Sequence, residues 1–198
     1  AENATPEYFG IHPKGLVPVL VHDGVVLIES TDIIDYLDKT FTEPKLRPKN
    51  ETEETKMRNW MSLATENHIH VKTYMFANKI GKLMAKTETD LEIYRNLQDN
   101  KELREFHEEN SSPEGLSAER LTNSTEILKN CFGRAESSLS RHKWLVGDTF
   151  SLADISWVAL VVTLINARFP FEQYPNVLRW KDAMQSRKSF QKGILNWM

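Results

Sequence analysis

The stretch from Gly15 to Leu37, GLVPVLVHDGVVLIESTDIIDYL, admits few local structures. Two short β-branched runs, Val17 to His22 and Val25 to Ile28, are separated only by Asp23-Gly24. An Asp-Gly link of two residues closes a tight hairpin, because Gly takes the positive φ that a primed turn requires. After Glu29-Ser30, the residues Ile33, Ile34, Leu37 and Phe41 recur at helical spacing. The order is therefore strand, turn, strand, helix, with Ser30 predicted as the N-cap. Pro18 opens the first strand, where it removes a ladder donor unless the strand lies at an edge or the peptide is unusual. Glu29-Ser30 sets a carboxylate and a hydroxyl at a helix mouth, whose free N–H groups attract anions.

Upstream, Thr5-Pro6-Glu7 is a helix start with Pro at the first helical position, and Gly10 is a stop. Downstream, residues 42–50 carry two prolines and no periodicity, and read as a linker. From Glu51 the pattern is helical to the end. Met57, Trp60, Ala64, Asn67, Val71 and Tyr74 form one stripe of a helix expected to run to about Lys86. The charged segment from Asp90 to Glu109 is expected to be a solvated helix broken near Asn100. Leu121, Leu128, Phe132, Ala135 and Leu139 mark the next long helix. In Phe150-Ser151-Leu152-Ala153-Asp154-Ile155, Ser151 and Asp154 have the spacing of a capping box. The helix behind it is apolar nearly all round and is expected to be the central buried one. Tyr174-Pro175 starts another, with Val177, Leu178, Trp180 and Met184 inward, and the tail closes on Ile194, Leu195 and Trp197.

Composition narrows the function. A net charge of −3 over 198 residues gives no reason to expect nucleic acid or an anionic membrane as partner. The apolar run from Ile155 to Ile165 is too short to span a bilayer. The first residues, Ala1 to Thr5, do not resemble a signal peptide. One cysteine, Cys131, permits no internal disulfide and fits a reducing, cytoplasmic setting. Cys131 lies on an apolar stripe and reads as core. His68 and His70, two apart on a helix, point in different directions, and the other histidines are scattered, so no metal is expected.

The run HPKGLVPVLVHDGVVLIESTDIIDYL resembles the glutathione-binding half of a cytosolic glutathione transferase, in which a Pro-x-Gly-x-Val-Pro segment, a hairpin and a Glu-Ser helix start follow in order. Trp144 to Asp154 matches the family's Trp-Leu-x-Gly-Asp-x-x-Ser-x-Ala-Asp run, and Tyr174, Trp180 and Arg187 match a Tyr-Pro…Trp…Arg pattern. The resemblance covers nearly the whole chain. Its spacing is similar to the etherase-like members and to the ganglioside-induced differentiation-associated group. It implies an α/β plus all-α fold: a partial thioredoxin-like domain at 1–42, a linker at 43–50 and an all-helical domain at 51–198. The family's first strand, helix and second strand would precede Ala1, and the chain is expected to be a fragment or to lack that segment.

The resemblance also implies a site. The Val17–Pro18 peptide would be cis and would turn the Val17 backbone towards the tripeptide glutathione, which pairs with it like an added strand. Ser30 would hold the γ-glutamyl carboxylate and Glu29 the γ-glutamyl ammonium. Many members carry Gln or Lys where this chain has Leu16, so a polar contact to the tripeptide is either absent or supplied by Lys14 or His12. Asn67, His70 and Tyr74 share a helix face and are the candidate lining for a hydrophobic electrophile. The thiolate-stabilising residue would lie upstream of Ala1, so no catalytic residue is assigned in this chain. Family likeness further implies an enzyme, a homodimer and a detoxification role. The alternative is a binding or scaffolding protein that has lost turnover.

Overall fold

In the computed structural model, Asp23 and Gly24 take φ of 48° and 79°, the paired positive values of a type I′ turn. They join β1 (Leu20–His22) to β2 (Val25–Leu27), antiparallel, with Leu20 opposite Leu27, Val21 opposite Val26 and His22 opposite Val25. The structure describes residues 3, 5–41 and 44–197; Thr42 and Glu43 of the predicted linker and the side chain of Trp197 lie outside them. Packing groups the chain into two units: Ala1–Glu43 with Lys72–Asn123, and Pro44–Val71 with Ser124–Met198.

In the first unit, α1 (Pro6–Phe9) is capped by the Thr5 hydroxyl, which accepts from the Tyr8 N–H. The loop behind it is held from two sides: Asn3 donates to the Gly15 carbonyl at 2.8 Å and the Tyr8 hydroxyl to the Leu16 carbonyl at 2.6 Å. Gly15 has φ 60°, and a Cβ there would meet the Phe9 ring at 2.6 Å. After the hairpin comes α2 (Ser30–Thr40), with Ile33 inward. Its N-cap is Glu29, not Ser30 as predicted. Glu29 is extended, and its carbonyl already accepts from the Ile33 N–H at 2.9 Å, so Ser30 is the first helical residue.

The long helix α3 (Glu51–Met75) does not run on to Lys86. It widens into a π turn, Phe76–Ile80, closed by the Gly81 N–H on the Phe76 carbonyl at 2.8 Å. At Gly81 an added Cβ would sit 2.7 Å from that carbonyl oxygen and from Asn110 Oδ1, so glycine alone fits directly after the π turn. Then α4 (Glu88–Leu97) starts on a Thr87–Asp90 capping box and α5 (Lys101–Ser111) on Asn100. The predicted break near Asn100 is present. The pair is not simply solvated, because Leu91, Leu103 and Phe106 are buried, Phe106 completely.

The second unit contains most of α6 (Ala118–Leu139), with α7 (Leu152–Asn166), α8 (Pro175–Gln185) and α9 (Lys188–Gly193). As its composition implies, α7 is buried over much of its surface: Leu152, Ala153, Trp157, Val161 and Leu164 have almost no exposure. Trp157 donates to the Trp60 carbonyl at 2.9 Å, and the Phe132 ring packs edge-on against Trp157 and Phe171. Ser151 and Asp154 form the capping box. The Asp154 carboxylate also reaches further than the sequence suggests. It accepts from the N–H of Ser151 at 2.9 Å, the N–H of Leu145 at 3.0 Å and the indole of Trp180 at 2.8 Å. Cys131 is buried, and burial pushes its thiol up to about 12, which suits a core residue rather than a nucleophile.

Candidate functional site

Hairpin register positions the residues singled out in the sequence. The ladder ends at the pair Leu20 and Leu27, with Val17–Pro18 three and two residues before β1 and Glu29-Ser30 two and three residues after β2. A segment entering β1 and a segment leaving β2 are thereby brought to one end of the hairpin, at the start of α2. The Val17–Pro18 peptide is cis. Val17 is 70% exposed, and Pro18 and Ser30 are also exposed. The first N–H groups of α2 have no intrahelical acceptor. The positive end of a helix dipole favours an anion there.

Glu29 is half-buried and its carboxylate lies 2.7 Å from the Lys14 ammonium. Of the two residues considered as polar partners in place of Leu16, Lys14 thus reaches Glu29. His12 turns inward: it is 1% exposed, stacks on Tyr8, and its Nδ1 accepts from the Lys14 N–H at 3.2 Å. One site-supporting residue escaped the sequence reading. Gln98, fully buried at the end of α4, donates through Nε2 to the Lys14 carbonyl at 2.7 Å. Its Oε1 accepts from the Asn100 N–H at 2.9 Å. Lys14 is therefore held at its main chain by Gln98 and at its ammonium by Glu29. Only the link across 84 residues connects Gln98 to this loop, and local periodicity carries no trace of it.

Along α3, Asn67 is buried; its Nδ2 donates to the Leu63 carbonyl at 2.8 Å and its Oδ1 is without a partner. His70 is half-buried with Nδ1 3.1 Å from the Ser124 hydroxyl, and Tyr74 is half-buried. Among the described residues no group of three or more His, Cys, Asp or Glu side chains is arranged for a metal ion, and no helix is long and apolar enough to cross a membrane.

Two family models match the chain: glutathione S-transferase, N-terminal domain, over residues 2–45, and glutathione S-transferase, C-terminal domain, over residues 86–188. The chain is 30% identical over 192 residues to Protein LigF of Sphingobium sp. (strain NBRC 103272 / SYK-6), spanning 92% of this chain and 74% of LigF. The crystal structure of the β-etherase LigF superimposes with a TM-score of 0.86, covering 98% of this chain and 84% of that one, at 26% identity. Glutathione S-transferase GstB of Escherichia coli (strain K12) is 23% identical over 195 residues, spanning 98% of this chain and 80% of GstB. A glutathione transferase homologue from Sulfitobacter, solved with bound glutathione, shares the fold with a TM-score of 0.68 at 22% identity, covering 100% of this chain and 81% of that one.

Proposed function

The chain belongs to the glutathione S-transferase family, and from that premise we propose that it binds glutathione and serves the transfer of its thiolate to a hydrophobic electrophile. Its fold is the family's, a small two-stranded sheet with helices in a thioredoxin-like N-terminal part and a helical C-terminal domain. Of the two subgroups open from the sequence, the likeness to LigF supports the etherase-like one.

The observation that carries the reading is the cis Val17–Pro18 peptide entering β1, with Glu29-Ser30 opening α2 after the antiparallel β2. In this reading the Val17 N–H and C=O pair with the backbone of the tripeptide, adding it to the hairpin as an extended strand. The Ser30 hydroxyl and N–H hold the γ-glutamyl carboxylate at the positive end of the helix. Glu29 takes the γ-glutamyl ammonium, and Lys14, its partner in the free protein, shares or yields the carboxylate. A homologue solved with bound glutathione supports glutathione as the ligand.

The chemistry then needs a thiolate. A free thiol with pKa of about 8.5 is only a few per cent ionised at neutral pH. Lowering it by about two units requires roughly 2.7 kcal/mol of preference for the anion. No residue of this chain is assigned that task. The thiolate sulfur attacks the electrophilic carbon, a C–S bond forms, and the leaving group departs with the electron pair of the bond it loses. The likeness to a β-etherase supports an aryl ether as the electrophile, with a phenolate departing; a halide is the other candidate. His70 and Tyr74 offer exposed surface on α3 for that electrophile, whereas Asn67 has almost none. Two copies of the chain are proposed to associate, in the cytoplasm.

Retention on immobilised glutathione tests the site. Ser30→Ala removes a hydrogen bond to a charged group, worth about 1.5–3 kcal/mol, so affinity should fall at least tenfold and retention be lost. Unchanged retention after that substitution would overturn the assignment of Ser30.

A further inference from the structure

The turn between the π turn and α4 carries the most exposed large apolar side chain among the described residues. Leu83 is 84% exposed, and Met84 beside it 49%. Hydrogen bonds fix this turn. The Met84 N–H donates to the Ile80 and Gly81 carbonyls at 3.0 and 3.1 Å. From α5, Asn110 Nδ2 donates to the Gly81 carbonyl at 3.0 Å, and the Ser111 hydroxyl accepts from the Lys86 N–H at 2.9 Å. The segment is thus tied to α5 on both sides of Leu83-Met84, and the two apolar side chains stand in water between the ties.

The charge along this segment has one sign. Residues 72–87 hold four lysines and no Asp or Glu, an excess that the chain's net charge of −3 conceals. Lys79 and Lys82 are exposed, and neither pairs with a carboxylate among the described residues. Lys86 differs: its ammonium lies 4.9 Å over the Tyr94 ring and is opposed by Asp90. The carboxylates at the start of α4 and the end of α5 are occupied. Arg95 takes Glu88 and Glu108, Thr87 takes Asp90, and Arg120 takes Glu109. Lys79 and Lys82 therefore flank Leu83-Met84 with charge that the fold leaves unopposed.

We propose that this turn seats the protein on an anionic lipid surface, with Leu83 and Met84 entering the boundary between headgroups and acyl chains and Lys79 and Lys82 meeting the lipid charges. Two apolar side chains are too few for a stable protein partner, whose interface takes about 800 Å² from each side. A bilayer boundary needs no matching contour and accepts single apolar side chains beside cations. A second copy docked here about a two-fold axis would bring the same lysines together, which repulsion opposes. The contact is peripheral, since no helix among the described residues can cross a membrane. On the transfer reading, this seating carries the protein to the phase where hydrophobic electrophiles collect; the surface itself does not rest on that reading.

Co-sedimentation of the chain with lipid vesicles is the test. Mixed phosphatidylserine and phosphatidylcholine vesicles at low salt should carry the protein down, and phosphatidylcholine alone should carry far less. Leu83→Asp should weaken binding about tenfold or more, since it removes apolar surface and adds a like charge. Lys79→Gln with Lys82→Gln should weaken it about tenfold or more, at about fivefold for each lysine near a charged leaflet. The same charge change at Lys56 and Lys188, exposed on α3 and α9, should matter by less than about twofold, because charges beyond a Debye length are screened. A polarity-sensitive dye on the thiol introduced by Leu83→Cys, attached selectively because Cys131 is buried, should shift to the blue on the mixed vesicles. No sedimentation, equal sedimentation with phosphatidylcholine alone, insensitivity to Leu83→Asp, an equal loss from the Lys56 and Lys188 pair, or an unshifted dye would each overturn the proposal. So would binding to polyglutamate that ignores Leu83→Asp, which would assign the turn to an acidic protein, or self-association lost on Leu83→Asp, which would make it a subunit contact. Glutathione retention is a separate measurement, and its failure counts against the glutathione assignment alone.

Discussion

Two charges, one buried and one half-buried, one in each unit, are handled in opposite ways. Asp154 is fully buried, and burial pushes its carboxyl upward, yet the N–H groups of Leu145 and Ser151, the Trp180 indole and the Ser151 hydroxyl all donate to it and pull the other way. Among the described residues, Lys72 meets a neutral imidazole and two aromatic faces, with a second lysine nearby. A charge surrounded by matched dipoles acts as structure: it organises the segments that point at it. A charge left to like charge and aromatic rings contributes little to the fold.

Stability measurements can break that contrast. Asp154→Ala strands the Leu145 and Ser151 N–H groups and the Trp180 indole in a dry interior. Each orphaned donor costs about 1–3 kcal/mol, so a loss of about 3 kcal/mol or more in urea denaturation is expected. A loss below about 1 kcal/mol would mean that water or rearrangement satisfies these donors, and the contrast would fail. Lys72→Met should lie within about 1 kcal/mol of zero, because relief of the charge offsets the partner lost by His107. A strongly destabilised Lys72→Met chain would show that these contacts are structural after all.

The smallest effect is on acid stability. His107 titrates near the ordinary 6.5 when unfolded and at about 3 when folded. Between those values the unfolded chain binds the extra proton, so stability falls as the pH is lowered through that window. His107→Gln removes this contribution, and its stability should decline less steeply from pH 6.5 downward. Parallel declines of the two chains, measured by urea midpoints, would show that His107 stays accessible to protons in the fold.

What the sequence made legible was local. Asp23-Gly24 determined the hairpin because only two residues and their φ preferences were involved. The antiparallel register of Leu20–His22 on Val25–Leu27 then followed. The Ser151–Asp154 box and the break at Asn100 were readable for the same reason. Features that needed distant partners were hidden. Nothing around Asp154 announces Trp180, and nothing around Lys72 announces His107, 35 residues on. Helical spacing announces neither the π turn nor the fit of Gly81 against Asn110 behind it, so it overran the end of α3. The polar look of residues 90–109 concealed Phe106 because one buried face of a short helix needs only three or four apolar side chains. His12 looked available because burial cannot be read from a single polar residue in a loop.

Gln98 grips residue 14 through a main-chain oxygen, an atom every amino acid possesses. Substitution at position 14 can therefore alter the charge presented to Glu29 while the tether to α4 persists. Relatives could retune the electrostatics of this loop through one codon, and the anchor would be inherited unchanged.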